Sequence, residues 1–496
     1  MTASASAPGP QITNAAEASR PEVLVRSVPA VVEHATDALA TSTRAALALP
    51  TDRAIVMSGH QADLWHCGIL AKWFAMHPIA SRTSAHAAWI VVDHDTNDPT
   101  SIAYPSRGEQ GPVRAAWKWG GEDAVGESLL PTRLRASRTL TNMPSAELFW
   151  SPAVHDAMER AHTALHASAN ASDLAEQLTR AGSQLLAPVT RATPSIVMAR
   201  RIAATPVFRS LVRTMLKDPV ACVEAYNAAA ISFPKAGIRS LECKADRVEL
   251  PLWSIQRSRR PLFAADRDCS GQDLGPEDSL APRALMLSAV LRLAVCDLFI
   301  HGMGGGEYDK VTDAWLSGWL TESSRGRTAA DPELRSLLDQ RLSRGAAVMA
   351  PSMVVSATVR LAFPEVVVPT PEEIDRTIWL AHAGRHRLLG EPDASLGAAR
   401  KRALVAAVDA ARRDSAGVLK PRRERRAALA AYRELHAALA ASRAEHASAL
   451  AELDRNAAAA RAARGIASIV HDRTWSFALH SKEALEGLRN AVEAAL

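Results

Sequence analysis

The sequence predicts an α/β protein whose central sheet is largely parallel. Three short apolar runs, at residues 54–57, 87–92 and 294–300, carry this prediction. Each run ends in a polar or glycine-rich segment, and helix-like patterns follow the first and the third. Short apolar strands that alternate with helices indicate βα units, because neighbouring parallel strands need long crossover connections.

Length and composition place the chain among multidomain globular proteins. At 496 residues it is too long for one compact core, and roughly two to four domains are expected. A hydrophobic content of 48% with 22% charged residues excludes global disorder. The net charge of +5 is spread thinly along the chain, so the sequence predicts no nucleic-acid partner.

Cysteine usage and the apolar segments predict a cytoplasmic protein without a membrane partner. The five cysteines include no Cys-x-x-Cys pair, which favours neither a disulfide framework nor a cysteine zinc site. Residues 1–20 lack an apolar core and are interpreted as a disordered tail, not a signal peptide. The longest apolar run, 284–300, is interrupted by Arg292 and Asp297 and is shorter than the ~20 apolar residues of a membrane span.

The core is predicted to occupy residues 21–370, beginning with an amphipathic helix over 21–49. An insert at about 145–275 separates the second apolar run from the third. It is expected to contain helices over 145–187 and 207–230 and then a β-hairpin over 249–264. The hairpin tip is basic, with the sequence Arg257, Ser258, Arg259, Arg260.

Beyond a proline-marked boundary at 364–371, the chain is predicted to be helical. Apolar residues recur there at steps of three and four, the period of a helix with one apolar seam: Leu429, Tyr432, Leu435, Leu439, His446, Leu450 and Leu453. A break at 419–421 divides residues 371–465 into two arms, which we predict to form an antiparallel coiled coil and a homodimer contact. The basic excess over 401–464 fits a nucleic-acid or membrane surface or a solvated helix face, and we favour the solvated face. Residues 466–496 are predicted to return to the core as a helical segment.

The first candidate site segment is Gly59-His60-Gln61, after the first apolar run. In open parallel sheets, ligands bind outside the carboxyl ends of the strands, where helix N-termini direct donors at them. The imidazole of His60 and the amide of Gln61 suit a substrate carboxylate or phosphate. The alternative is that His60 only caps the following helix.

The second segment, Asp93-His94-Asp95, brings three titratable groups together after the second run. Two carboxylates on one face can hold a cation or share a proton, although no metal-spaced cluster elsewhere supports a metal, and none is predicted. The alternative is a turn that caps a following helix. His94 is the predicted general base, because its ordinary pKa lies near neutrality.

The third segment begins at His301 and continues as Gly302, Met303, Gly304, Gly305 and Gly306. Glycines let backbone N–H groups approach an anion, so this loop is a candidate phosphate cradle, with Glu307 directly after it. It fits neither the G-x-G-x-x-G spacing nor a Walker A loop. Kinase-like or NTPase-like chemistry is therefore not favoured, and these residues by themselves define no cofactor.

Taken in order, these segments resemble the bacillithiol biosynthesis cysteine-adding enzyme family. Residues 55–70 are similar to its Gly-Gln-Gln-Ala-Gly…Gly-Pro-Leu segment, and 89–95 resemble its strand ending in Glu-Asp-His-Asp. Residues 282–286, which include Arg283, and 299–304 resemble its Arg-Pro-Leu block and Gly-Pro-Gly-Glu loop. The chain departs from these patterns at Val92, Ile69 and Gly305.

The resemblance implies a Rossmann-like core, a connecting insert and a dimerising coiled coil. It also implies an enzyme that forms an amide bond between cysteine and an amino-sugar conjugate, with nucleotide binding. Two alternatives stay open, a nucleotidyltransferase-like enzyme that uses the same crevice and a non-catalytic coiled-coil scaffold. Under the first hypothesis His60, Asp93, His94 and Asp95 are catalytic, and the small-molecule substrate contacts Gly59, Gln61, Arg283, His301 and Glu307. The cofactor would then contact Gly302, Gly304, Gly305 and Gly306.

Overall fold

The computed structural model describes most of the chain in fourteen stretches. These are residues 21–29, 32–120, 130, 134–245, 247–255, 258–266, 279–322, 329–343, 347–363, 366–384, 402–403, 405–406, 409 and 422–496. The predicted tail at 1–20, Arg257 of the hairpin tip, the start of the boundary at 364–365 and the break at 419–421 lie outside them.

The described residues form twelve strands. In chain order they are β1 Glu22–Arg26, β2 Ile55–Gln61, β3 His86–Val92, β4 Ser101–Gly108, β5 Gly111–Lys118, β6 Ser195–Met198, β7 Cys243–Lys244, β8 Arg247–Ile255, β9 Arg259–Phe263, β10 Leu280–Pro282, β11 Leu298–His301 and β12 Ser352–Thr358.

Thirteen α-helices are described between and after these strands. They are α1 Ala38–Ala46, α2 Cys67–Arg82, α3 Pro152–Ala167, α4 Leu174–Leu186, α5 Pro206–Lys217, α6 Pro219–Ser232, α7 Ala284–Val290, α8 Met303–Leu316, α9 Pro332–Ser343, α10 Pro371–Gly384, α11 Arg422–Glu445, α12 Ala447–Val470 and α13 Lys482–Ala495. None of these described helices combines the length and the apolar composition needed to cross a membrane.

The chain divides into a smaller unit, with Gly108–Val113 and Phe363–His471, and a larger unit that holds the central sheet. That sheet has six strands in the order β1-β12-β11-β2-β3-β6, and only β1 runs antiparallel to its neighbour. Counted along the chain, its parallel strands lie in the spatial order 3-2-1-4-5 from β6 to β12. The order therefore reverses between β2 and β11. The α/β class and the mostly parallel sheet are as predicted.

The helix predicted over residues 21–49 is wrong in its first half. Residues Glu22–Arg26 form strand β1, paired with β12, and helix begins only at Ala38. The segment holds Val23, Leu24 and Val25, and β-branched residues pack well on a half-buried sheet edge. Apolar spacing alone does not separate such a short strand from a helix.

Asp297, which interrupts the apolar run at 284–300, is buried and forms an ion pair with Arg44. The guanidinium of Arg44 on α1 donates to both carboxylate oxygens of Asp297 at 2.9 Å. Asp297 also accepts the backbone N–H of Ile55, at 2.8 Å, where β2 begins. This ion pair therefore joins α1, β2 and β11 at the amino end of the sheet.

The insert contains the predicted helices and hairpin. Helices α3 and α4 fall within the predicted stretch 145–187, and α5 and α6 together extend one or two residues beyond the predicted 207–230 at each end. Strands β8 and β9 pair antiparallel. The chain from Asp472 onward belongs to the same unit as the sheet, where α13 packs on α2 and Trp475 and Phe477 are buried.

In the smaller unit, α10 packs along α12. Ile374, Ala460 and Ala467 form its buried apolar cluster. Of the predicted seam, Leu439 is buried, whereas Leu429 and Tyr432 are exposed. The described residues thus show paired helices with part of the apolar seam left open.

Candidate functional site

The three predicted segments lie at one edge of the sheet. Strand β2 pairs with β3 up to Gln61 opposite Val92, and β11 pairs with β2 up to Ile300 opposite Ser58. All three strands are parallel, so their carboxyl ends meet where the strand order reverses. A crevice at such a reversal is the usual ligand site of an open α/β sheet.

Gly59 is fixed by its neighbours in the sheet. A Cβ at this position would lie 2.2 Å from Ile90 Cγ2 and 2.3 Å from the Ile90 carbonyl oxygen. Its own carbonyl accepts a hydrogen bond from Lys72 Nζ at 2.6 Å. Burial lowers the pKa of Lys72 to about 7, and its ammonium lies over the ring of Trp89. Gly59 thus serves the close approach of β2 to β3, and no side chain fits there.

His60 offers the crevice a neutral imidazole. Burial, with the nearby Lys72 and His66, lowers its pKa to about 3. Its Nδ1 has no hydrogen-bond partner among the described residues. The N-cap of α2 is His66, whose Nδ1 accepts the N–H of Gly68 at 3.0 Å, so His60 does not cap that helix. The residue is half-buried, and this nitrogen is itself buried without a partner among the described residues, so His60 is a candidate to bond to a ligand that enters the crevice.

Gln61 and Asp95 are joined across the two strand ends. Gln61 Nε2 donates to Asp95 Oδ2 at 3.0 Å, and Arg259 from the hairpin donates to Asp95 Oδ1 at 3.1 Å. Burial raises the pKa of Asp95, but hydrogen bonds from Gln61 and Thr96 and the charge of Arg259 outweigh it, so the pKa lies below its usual value. Asp95 is therefore an ionised carboxylate whose position is fixed by the hydrogen bonds from Gln61 and Arg259.

The turn alternative for this segment is correct in part. Asp95 accepts the N–H of Thr96, and Asp98 accepts from the backbone N–H of Thr100 at 2.9 Å. The element that follows is strand β4, not the helix that this alternative expected. The same residues therefore make a turn and hold Arg259 over the strand ends.

Asp93 and His94 are more deeply buried than Asp95. Asp93 accepts the backbone N–H of Arg200 at 2.9 Å, and its second oxygen lies 3.3 Å from Arg200 Nε. His94 Nε2 lies 3.1 Å from the carbonyl oxygen of Pro282, which can only accept. In the neutral ring the proton is therefore on Nε2, which leaves the Nδ1 lone pair 3.9 Å from an Asp93 oxygen.

His301 belongs to a buried charged cluster between β11 and α8. Its Nε2 lies 2.9 Å from Asp309 Oδ2. Arg292 Nη1 lies 3.3 Å from Asp309 and 2.9 Å from Asp313. Burial raises the pKa of Asp309, but His301 and Arg292 more than offset this and lower it. The cluster fixes the ring of His301 at the end of its strand.

The first turn of α8 is bare. Gly302 is its N-cap and supplies no side-chain cap, and a Cβ at Gly302 or Gly304 would meet no atom of the described residues within 4 Å. Gly305 packs against His301 and Gly306 against Val354, where a Cβ would clash. The first N–H groups of a helix have no acceptor within it, and the helix dipole favours an anion there. Backbone donors are thus exposed at the reversal point.

Glu307 and Arg283 have partners within the protein. Glu307 is paired with Lys310 at 2.7 Å. Arg283 donates to buried Glu249 at 2.7 Å and lies over the ring of Trp253. Arg259 lies over the same ring, so in this structure Arg283 holds the hairpin that positions Arg259.

Sequence reasoning missed Arg200, Arg259, Arg292 and Asp309 as site residues. Arg292 interrupted an apolar run and Arg259 belonged to a basic hairpin tip, so each carried a signal. Arg200 carried none, because it lies 107 positions from Asp93 along the chain. Only the fold brings those two together.

Replacing Arg259 with glutamine is expected to raise the pKa of Asp95. The pKa of Asp95 is depressed in the folded protein, so its contribution to stability is present above its unfolded value of 3.8 and is lost as the pH falls through the folded value. Without Arg259, acid unfolding should begin at a higher pH. Carbon NMR of the Asp95 carboxyl and urea midpoints between about pH 2 and 5 measure both effects. Arg260→Gln, an exposed neighbour, is the control, and equal Asp95 titrations in the two variants would contradict the assignment.

Comparisons with protein-family models and with curated proteins gave no match to this chain.

Proposed function

We propose that this chain is an enzyme with a Rossmann-like core that binds a small polar substrate at the carboxyl ends of β2, β3 and β11. One observation carries the proposal. At the reversal of strand order, α8 begins directly after β11 with no side-chain cap, and the neighbouring strand β2 ends near His60, whose Nδ1 has no partner among the described residues. Backbone N–H groups without an acceptor in the helix, and a neutral imidazole at the same edge of the sheet, favour a ligand with a carboxylate or phosphate.

The reaction we propose is ligase-like, joining cysteine to an amino-sugar-type substrate through an amide bond. The carboxyl carbon gains a bond to the amine nitrogen and loses one oxygen, so the carboxyl must first be activated. A nucleotide is the proposed co-reactant, and the lost oxygen would leave on its phosphate group. The attacking amine must also lose a proton. The family resemblance supports the type of reaction. The anion-binding groups at the strand ends support the location of the reaction in the crevice.

His94 is the proposed general base. Its Nε2–H is directed at Pro282, so Nδ1 is the nitrogen that can accept a proton. The carboxylate of Asp93, 3.9 Å away, would stabilise the resulting imidazolium. Because only 3% of His94 is exposed and its Nδ1 is buried, the residues that cover Nδ1 must move before a substrate reaches it.

Replacing His94 with glutamine is expected to lower the rate of product formation by about 10²–10⁴-fold, the usual contribution of a general base. The assay incubates the purified chain with cysteine, an amino-sugar conjugate and ATP and measures the amide product by mass spectrometry. The matched control is His86→Gln, at the amino end of the same strand, where the ring contacts Ser195. A folded His94→Gln protein with unchanged activity would refute the role of His94.

The bare turn of α8 also favours a second candidate, nucleotidyl transfer in the same crevice. Phosphate groups suit a helix N-terminus as well as carboxylates do. Release of pyrophosphate with a nucleotide-linked acid as the product would identify this reaction. An amide product identifies the ligase.

We also propose that the smaller unit forms a coiled-coil homodimer. Exposed Leu429 and Tyr432 continue the apolar seam that is buried at Leu439. Sedimentation velocity of the intact chain tests this, and a monomer at micromolar concentration would contradict it.

A further inference from the structure

A second concave surface lies in the larger unit. It is a groove of about 830 Å³ between α3, the end of α4 and the segment that precedes and begins α13. Volumes of roughly 300–1,000 Å³ are typical of small-molecule sites. Its apolar lining consists of half-buried Leu185 and, beneath the surface, the buried side chains of Val189, Phe477 and Leu485.

His480 gives this groove an unmet polar group. His480 is a lining residue of the groove and is 5% exposed, and its Nε2 is buried without a hydrogen-bond partner among the described residues. Burial lowers the pKa of His480 to about 4, so the ring is neutral at physiological pH. A buried polar atom without a partner costs about 1–3 kcal/mol, which a ligand can recover by bonding to it.

The rim of the groove carries charges of both signs. Asp156, Glu159 and Glu483 are acidic, and Arg160 and Lys482 are basic. His155 lies 3.7 Å from Asp156 and 3.9 Å from Glu159, and Lys482 lies 3.7 Å from Glu486. Such a rim suits a head group with an ammonium and a carboxylate better than a simple anion or cation.

We propose that this groove binds a small zwitterion with an apolar side chain, the chemistry of a large apolar amino acid. The apolar body would lie against Leu185, Val189 and Phe477, and His480 Nε2 would hydrogen-bond to the head group. The groove shares no lining residue with the strand-end crevice. The proposal therefore stands apart from the function proposed above.

Calorimetric titration of the intact chain with L-phenylalanine and L-leucine, in buffer containing EDTA, tests the proposal. We expect saturable binding with a Kd on the order of 0.1–1 mM. L-serine lacks the apolar body and N-acetyl-L-phenylalanine amide lacks both charges, so each should bind at least ~10-fold more weakly. No binding of either apolar amino acid up to about 10 mM, or equal binding of either control compound, would overturn the proposal.

Two variants locate the site. Thr163→Trp fills the groove from an exposed position on α3, and His480→Leu removes the unmet nitrogen. Both should weaken binding at least ~10-fold, while Thr41→Trp, on an exposed face of α1, should not. His480→Leu should also raise the Tm, because it removes a buried polar atom without a partner. Unchanged binding in both groove variants would place the ligand elsewhere and overturn the proposal. A lower Tm for His480→Leu would show that this nitrogen already has a stabilising partner in the folded protein, which would also contradict the proposal.

Discussion

Replacing Asp297 with alanine is expected to lower the free energy of unfolding by about 3–5 kcal/mol, the usual cost of leaving one partner of a buried ion pair alone. Arg44 is fully buried, and the side chain of Asp297 is 2% exposed. Without Asp297, the carbonyls of Val295 and Ala35 are the partners that the described residues leave to the guanidinium. The backbone N–H groups of Ile55 and Ala35 lose their acceptor as well.

Urea unfolding measures this effect, and two variants calibrate it. Asp297→Asn keeps an amide oxygen for Ile55 and should fall between the wild type and Asp297→Ala. Asp52→Ala removes the exposed partner of Arg53 and should leave stability unchanged within error. If Asp297→Ala and Asp52→Ala unfold at the same urea concentration, the buried pair does not hold β2 and β11 together.

Replacing Gly59 with alanine is the second change with a large expected effect. The new Cβ would overlap both the side chain and the backbone oxygen of Ile90, so β2 and β3 must separate at the crevice. Overpacking of this kind costs about 1–3 kcal/mol, and occasionally more. Because Gln61 and Asp95 bridge these two strands, ligand binding in the crevice should fall as well.

Gly304→Ala is the matched control for this substitution. A Cβ at Gly304 meets nothing within 4 Å, and the residue has an ordinary helical environment in α8. Alanine there should leave the free energy of unfolding unchanged or raise it by up to about 1 kcal/mol, because alanine reduces the conformational freedom of the unfolded chain. Equal unfolding midpoints for Gly59→Ala and Gly304→Ala would contradict the close approach of β2 and β3.

Much of the sheet could be predicted because its strands are short apolar runs with polar ends. The strands that became β2, β3 and β11 were recognised this way, together with the hairpin β8–β9. Strand β1 was not, because five residues with Val-Leu-Val at the centre also fit one face of a helix. Pairing of β1 with β12 spans more than three hundred positions, which no local pattern reports.

The site was predictable as a location and less so as a set of contacts. Parallel strands place their carboxyl ends at one edge, so His60, Asp95 and Gly302 could be grouped in advance. The basic partners could not, because Arg259 reaches Asp95 from a position 164 residues away. The same limit applies to the distant pair of Arg44 and Asp297. The local sequence shows which residues at a strand end are polar. The charged residue that pairs with each of them can be distant in sequence and is determined by the tertiary fold.

Thermal unfolding of the intact chain with and without ATP and inorganic phosphate tests the central claim, an anion-binding crevice at the start of α8. A ligand that binds only the folded state raises the Tm. Gly304→Asp places a carboxylate at the bare turn, in open space and at a helix end that favours acidic residues, so the fold should be kept while anions are repelled. A Tm rise in the wild type that disappears in Gly304→Asp is the result expected here. No rise with either ligand, or an equal rise in the variant, would contradict the claim.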